Sequence, residues 1–327
     1  MRHLLLPVKR HFNMKAYLIL VGLLVPAVFA IQPFSLTITG TPNPGFWMLL
    51  LDAGISLLLY IVLGAVGLGL ASRIGLGLPF IEGWTKREPT WNRLPGVAGI
   101  SILTGILLPL FLVLEGALAS LVRPVADMQA GGASANVIVP PAWQGLLAGF
   151  SAGVTEETIF RLFGLTLLAW LGSLPFRSRS ARPAPWLLWA ANLLFAVLFG
   201  LAHLPLTSQL GISLDALVVI RTIIRNGVAG VTFGWLYWSF GLESAILAHF
   251  SADVIRHCFV PLITQQADTA HSIIAGAIVV LLIVLATFWS IRAILQDRKQ
   301  FPPSSDPDKN GYPTALQAPL VAPDLVE

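Results

Sequence analysis

Ionisable residues stand in three places where the surrounding sequence is apolar enough to lie in a membrane. A charged side chain near the centre of a bilayer costs at least about 2.5–3.5 kcal/mol, so it usually has a partner or a function. In chain order the three segments read Glu156-Glu157-Thr-Ile-Phe-Arg161, Phe199-Gly-Leu-Ala-His203 and His249-Phe-Ser-Ala-Asp253. Together they provide the carboxylates and imidazoles that acid–base catalysis requires.

The spacing of the first segment separates its two glutamates. Glu157 and Arg161 are four residues apart, so on a helix they share one face and can neutralise each other. Glu156 is rotated by about 100° from Glu157 and has no such partner on its own helix. A carboxylate without a fixed cation in an apolar site is suited to take a proton from water. We therefore assign Glu156 as a general base and include Glu157 and Arg161 in the candidate catalytic set.

The two histidine segments complete a hydrolytic set. His249 and Asp253 are four residues apart, so they could stabilise a developing oxyanion, or Asp253 could orient His249. His203 could steer a water or protonate a leaving nitrogen, and Phe199 is expected to shape the substrate pocket. This set suits the hydrolysis of an amide or ester by a water that Glu156 activates, without a serine or cysteine nucleophile.

Three other interpretations stay open from the residues alone. One glutamate with two histidines is a legitimate zinc set, although the His-Glu-x-x-His run of many zinc proteases is absent, so no cofactor is assigned and zinc stays an alternative. The same residues could form the relay of a proton-coupled transporter. However, the sequence has no evident internal repeat of the kind that transporters usually contain. The third alternative is a non-catalytic scaffold or immunity protein.

The composition places these residues in a membrane. Of the 327 residues, 56% are hydrophobic and only 11% are charged, whereas a soluble domain carries about 25% charged residues. The apolar runs are long and continuous, which favours helices over a barrel. We predict an all-α integral membrane protein with about eight transmembrane helices, at residues 16–38, 46–70, 97–121, 142–170, 186–206, 215–239, 242–264 and 271–294.

The distribution of charge predicts the orientation and the division of the chain. Lysine and arginine cluster after the second, fourth and eighth spans, so the positive-inside rule places both termini in the cytoplasm. The net charge of +4 is modest, and no nucleic-acid partner is expected. We divide the chain into three N-terminal spans (1–141), a five-span core that carries the motifs (142–296) and a disordered cytoplasmic tail (297–327).

Small residues and a pair of arginines add two further expectations. Gly145, Gly149 and Gly153 recur every four residues before Glu156, a spacing that lets helix backbones approach closely. Arg221 and Arg225 lie one turn apart near one end of the sixth span. They could attract a substrate carboxylate, although pairing or extension towards the membrane surface is the commoner role of such residues.

The ordered motif set resembles the CPBP family, the CAAX-protease and bacteriocin-processing (Abi) group of intramembrane proteases. The resemblance implies a CAAX-protease-like helical bundle with a conical cavity, in a multi-pass protein of the bacterial plasma membrane. It implies an endopeptidase that cleaves a membrane-associated protein or peptide. In this group Glu156 and His203 would be the catalytic pair, with His249 and Asp253 around the oxyanion, and the enzyme would be of either the glutamate or the metallo type.

One residue departs from the pattern of this family. Asp253 stands where the prenyl endoproteases have asparagine. An asparagine amide can donate a hydrogen bond to an oxyanion, whereas an ionised carboxylate cannot. The oxyanion role of Asp253 therefore requires a protonated carboxyl group. Otherwise Asp253 orients His249, and the prenyl-protein substrate class transfers less directly.

Overall fold

The computed structural model describes residues 11–40, 42, 44–122, 140–176, 182–264 and 269–300. Within these ranges the chain is helical and contains no strand. The tail predicted to be disordered comprises residues 297–327. Of these, residues 301–327 lie outside the described ranges. The helices are α1 Met14–Ala30, α2 Gln32–Thr39, α3 Phe46–Ile74, α4 Pro79–Lys86, α5 Leu94–Val122, α6 Ala142–Glu157, α7 Thr166–Ser173, α8 Pro185–Ala202, α9 Leu204–Gln209, α10 Ala216–Phe240, α11 Leu242–Val254, α12 Val260–Thr264 and α13 Thr269–Gln300.

Two π-helical segments interrupt this pattern. The first π segment, Thr158–Leu165, joins α6 to α7, and the second, Ile255–Phe259, joins α11 to α12. The first begins within the first motif, directly after Glu157, and the second begins two residues after Asp253. Such segments are rare and often occur at functional sites, because the wider turn changes the direction in which side chains point.

The helix ends follow from local sequence. The Asn13 and Asp215 side chains cap α1 and α10 by accepting hydrogen bonds from backbone N–H groups two to three positions into the helix. Pro185 begins α8, where its missing N–H is not needed. Gly241, with φ of +100°, makes the sharp break between α10 and α11. A residue with a side chain is strained at such an angle.

Within the part of the chain that the structure describes, seven helical runs are long and apolar enough to cross a membrane. They are Met14–Thr39, Phe46–Ile74, Thr90–Leu112, Pro185–Gln209, Ala216–Phe240, Leu242–Ile263 and Ile273–Ala293. Many large apolar side chains on these helices are exposed, among them Leu58 on α3 and Val284 on α13. Because such side chains require an apolar solvent, the chain is a multi-pass integral membrane protein with a helical fold of the predicted class.

The predicted fourth span, 142–170, differs from the other seven. It is helical from Ala142 to Ser173, but it is not among the runs that qualify by composition. It carries three charged motif residues, Glu156, Glu157 and Arg161, within six positions. The neighbours compensate: α1 and α11 pack along α6, and α3 packs on the first π segment. The surrounding helices thus take the place of lipid around the charged residues of this run.

Small residues account for the closeness of this packing. A Cβ atom on Gly149 would lie 3.0 Å from the Asp253 Cβ atom, and one on Gly153 would lie 3.1 Å from the Ile246 carbonyl oxygen. Gly145 faces the His257 backbone in the same way. The expected close approach through the three glycines is confirmed, and the partner is α11 with the π segment that follows it.

Candidate active site

The first motif ends α6 and points into the protein. Glu157 and Arg161 are almost completely buried, with 0% and 2% of their side chains exposed, and their ion pair measures 3.0 Å. Arg161 also donates to the Gly230 carbonyl of α10 at 3.1 Å. Its guanidinium carbon lies 4.5 Å from the ring centre of Phe199. The predicted pairing of Glu157 with Arg161 is present, and α10 and α8 complete the surroundings of the arginine.

His249 is fixed by the same carboxylate. Its Nδ1 atom donates to Glu157 Oε1 over 2.7 Å, and the Phe233 ring is stacked on the imidazole at 4.7 Å between centres. The sequence suggested Asp253 as the residue that orients His249, but the hydrogen-bonded partner is Glu157. The ring is thus held at one nitrogen and across one face, which leaves Nε2 as the nitrogen available for chemistry.

The Nε2 atom of His249 faces two carboxylates. Asp253 Oδ2 lies 3.6 Å away and Glu156 Oε2 lies 3.9 Å away. Both distances are longer than a hydrogen bond. The Glu156 Oε2 atom is buried and has no hydrogen-bond partner among the described residues. A buried carboxylate oxygen without a donor is costly, and a water or substrate donor at this place would satisfy it.

His203 stands at the end of α8, next to the same group. Its Nδ1 atom lies 2.7 Å from the Phe199 carbonyl oxygen. Because a carbonyl can only accept, Nδ1 carries the hydrogen and Nε2 is left as the reactive nitrogen. The Phe199 ring packs edge-on against His203 at 4.8 Å and against His249 at 5.9 Å. His203 is also within electrostatic range of Glu156.

The site therefore gathers side chains from the three predicted motifs. Glu156, Glu157, Arg161, His249 and Asp253 form one contiguous polar group, and Phe199 links that group to His203. Phe233 was not predicted, because a phenylalanine in an apolar span carries no sign that it contacts a histidine. The backbone carbonyl of Gly230 was missed for a similar reason, since no side chain marks it.

The polar group does not have the arrangement of a metal site. Among the described residues, no three or more histidine, cysteine, aspartate or glutamate side chains are placed so that they could hold a metal ion. The hydrogen bonds made by Nδ1 of His249 and of His203 do not bear on this, because a zinc-bound histidine usually donates its other N–H in the same way and coordinates through Nε2. The described donors thus do not fit zinc, and the mechanism below assigns no step to a metal.

A comparison with protein families favours the protease interpretation of this group. The family described as type II CAAX prenyl endopeptidase, Rce1-like, matches residues 138–255. The chain resembles a CAAX endopeptidase over this stretch. The resemblance read from the motifs is thereby confirmed, and it covers α6 to α11, which contain the whole polar group. Curated proteins and solved structures gave no match to the chain.

The boundaries of the match clarify what the rest of the chain contributes. The CAAX-endopeptidase stretch indicates a protease that acts within a membrane. It excludes α1 to α5, α12 and α13, although α1 and α3 pack directly on α6 and the first π segment. The N-terminal helices thus enclose the motif helix without carrying a motif. The division at residues 141 and 296 stays a prediction.

Proposed function

We propose that this protein is an intramembrane endopeptidase of the glutamate type, which hydrolyses a peptide bond in a membrane-associated protein or peptide. The observation that carries the proposal is the convergence of Glu156, Glu157, His249 and Asp253, from two helices, inside the CAAX-endopeptidase stretch. A bacterial plasma-membrane location stays a prediction.

In the proposed first step Glu156 takes a proton from a water that it shares with His203. The resulting hydroxide attacks the carbonyl carbon of the substrate, and negative charge develops on the carbonyl oxygen. The unsatisfied Oε2 atom of Glu156 supports this role, because a buried acceptor without a donor is a natural position for the attacking water. The shared water itself stays a prediction.

His249 would stabilise the oxyanion through Nε2–H. The hydrogen bond from Nδ1 to the buried Glu157 carboxylate favours the doubly protonated ring, and a preorganised charged donor is the strongest aid to such an intermediate. Asp253 would support the same nitrogen or, in its carboxylic acid form, donate directly. The proton held by Glu156 would then pass through water to His203 Nε2, and His203 would donate it from Nε2 to the leaving nitrogen.

The test is hydrolysis by the full-length protein in liposomes. The probes are a fluorogenic peptide that ends in an S-farnesyl Cys-aliphatic-aliphatic-X sequence and its unprenylated twin. We expect Glu156→Gln and His203→Ala each to lower kcat by at least about 100-fold, the usual contribution of a general acid or base. The exposed Glu88→Gln is the matched control and should behave like the parent.

Two further measurements distinguish the glutamate-activated water from a metal-dependent mechanism. If Glu156→Gln and His203→Ala cut the peptide as fast as the parent, the glutamate-activated water is wrong. Treatment with a chelator should leave activity unchanged, because the described donors do not form a metal site. Loss of activity on chelation, restored by zinc, would instead favour the metallo type. Comparison of the two probes then reveals whether a prenyl group is required.

A further inference from the structure

A cavity of about 200 Å³ lies beside His203 and is lined by three arginines. Arg221 and Arg225 come from α10, and Arg256 comes from the second π segment. Thr222 and Asn226 add polar atoms to the lining. This cationic cavity is distinct from the group around Glu157, and the mechanism above makes no use of its arginines.

A carboxylate from a third helix holds two of these arginines in place. Glu115 of α5 accepts hydrogen bonds from Arg221 Nε at 2.7 Å and Nη2 at 3.2 Å. Arg225 Nε lies 3.4 Å from Glu115 Oε2, the oxygen that also accepts from Arg221 Nη2. One glutamate and three arginines leave the cluster with a formal charge of +2. The guanidinium groups are thus positioned in advance, and an anion in the cavity would offset the remaining charge.

The cluster lies close to one surface of the membrane. The connection at 210–215 joins two membrane-crossing helices, so it lies at that surface. At 1.5 Å per residue, Arg221 and Arg225 stand about 8 and 14 Å into α10, and their long side chains can extend back towards the surface. Arg256 is seven residues before the end of its own span at Ile263. The arginine side chains therefore extend from within the spans towards the level of the membrane phosphate groups.

We propose that this cavity binds a phosphate group, supplied by a phospholipid headgroup or by free phosphate. Guanidinium groups match phosphate oxygens in charge and geometry, and basic pockets between membrane helices are typical sites for anionic headgroups. Leu206 and Leu210 line the same cavity, which gives the lipid glycerol and upper acyl chain an apolar contact. Because His203 also lines it, a bound lipid adjoins the candidate catalytic histidine.

The experiment measures binding and does not need catalysis. Full-length protein in a non-ionic, phosphate-free detergent is titrated with short-chain phosphatidylglycerol, and bound lipid is counted by native mass spectrometry. Diacylglycerol, inorganic phosphate and acetate are titrated separately. We expect Arg225→Gln/Arg256→Gln to weaken phosphatidylglycerol binding at least about tenfold, since two charge-assisted hydrogen-bond donors are lost. The control Lys15→Gln/Arg292→Gln removes two exposed charges elsewhere and should bind like the parent.

The outcomes distinguish a phospholipid headgroup from free phosphate as the source of the bound group. Strong phosphatidylglycerol binding with weak inorganic phosphate binding, both reduced in the arginine variant, identifies a lipid site. Equal, variant-sensitive binding of inorganic phosphate identifies a free-phosphate site. The proposal is overturned if diacylglycerol or acetate binds as well as phosphatidylglycerol, if no probe binds, or if the arginine variant binds like the control. Thermal unfolding shows whether both double variants are folded. The single substitution Arg256→Gln, at an exposed residue, is a milder variant for the same binding measurement.

Discussion

At the scale of residues, one oxygen atom serves two motifs. Glu157 Oε1 accepts from Arg161 at 3.0 Å and from His249 at 2.7 Å. The arginine compensates the buried charge of Glu157, and the histidine gains a fixed orientation from it. Removal of one partner from a buried ion pair is strongly destabilising, whereas replacement of both by apolar groups can be neutral. Stability and catalysis therefore depend on Glu157 in different ways.

This difference predicts opposite responses to single and double substitution. Glu157→Gln should lower the free energy of unfolding by about 3–5 kcal/mol, because it leaves Arg161 buried without a counter-charge. Glu157→Gln/Arg161→Met should regain much of that stability but stay inactive, because His249 lacks its anionic partner. Thermal unfolding and hydrolysis of the farnesyl peptide measure the two effects. A double variant that is stable and fully active would show that Glu157 is only structural.

Asp253 offers a second prediction at this scale. Its Oδ2 atom lies 3.6 Å from His249 Nε2, the nitrogen that we assign to the oxyanion. Asp253→Asn should keep kcat within about tenfold of the parent or raise it, because an amide donates to the oxyanion in any protonation state. Asp253→Leu, which has no donor, should lose about 100-fold or more. A loss of that size in Asp253→Asn would mean that the negative charge itself is required.

The residues of the site were predictable in kind but not in all their contacts. Charged groups in apolar spans stand out by their cost, so Glu156, Arg161 and His203 were identified from the sequence alone. The bond between Glu157 and His249 was not, because Arg161 already provided a partner on the same helix. The partner that a buried carboxylate finds on another helix depends on how the two helices are rotated about their axes. The spacing of residues along one helix gives no information about that rotation.

At the scale of elements, the glycine face of α6 brings the first and third motifs together. Gly149 lies against Asp253 and Gly153 lies against Phe250 and Ile246, so no side chain separates α6 from α11. The hydrogen bond between Glu157 and His249 spans the same helix pair. The distance between the two motifs is therefore set mainly by the absence of Cβ atoms on one helix.

A single methyl group added to this face should change the geometry of the candidate active site. Gly149→Ala places a Cβ atom 3.0 Å from the Asp253 Cβ atom, so the helices must separate slightly. We expect a loss of about 1–3 kcal/mol in unfolding free energy and a fall in kcat larger than the change in KM. Gly54→Ala is the control, because its Cβ atom would meet nothing within 4 Å. Equal behaviour of the two variants would contradict the close-packing explanation.

The π segments limited what a helical pattern could predict. Beyond Thr158 the turn is wider than 3.6 residues, and the Thr166 hydroxyl donates to the Arg161 carbonyl, five residues back. Spacing rules for helix faces fail across such a segment, since they assume a constant rise and turn. Hydrophobicity carries no signal for the extra width, so the continuous span predicted at 142–170 had the right extent but the wrong internal geometry.

At the scale of the whole molecule, the helix count depends on what surrounds each helix. Among the described residues, seven runs are apolar enough to cross a membrane, whereas the motif run from Ala142 is not counted with them and packs against α1, α3 and α11. A count by hydropathy alone omits it, and a count by helical continuity includes it. With this run as an eighth crossing, α5 ends and α10 begins at the same surface, as the shared Glu115–Arg221 contact requires.

The eight-crossing arrangement predicts a specific labelling pattern. In a Cys258→Ser background, Glu88→Cys and Ser213→Cys lie on opposite sides of the membrane if both termini are cytoplasmic. A membrane-impermeant maleimide should label Ser213→Cys in intact cells, and Glu88→Cys only after permeabilisation. Labelling of both from the same side would show that the motif run does not cross. A reversed pattern would place the termini outside.

The shared oxygen of Glu157 also imposes an order on biosynthesis. Gly230, which binds Arg161, lies 69 residues after that arginine, and His249 lies 92 residues after Glu157. At about 5–20 residues per second, Glu157 is made roughly 5–18 s before His249. A helix with two glutamates and an arginine is poorly tolerated in bare lipid during that interval. It must therefore be sheltered, by α1 and α3 or by the insertion machinery, until α10 and α11 arrive.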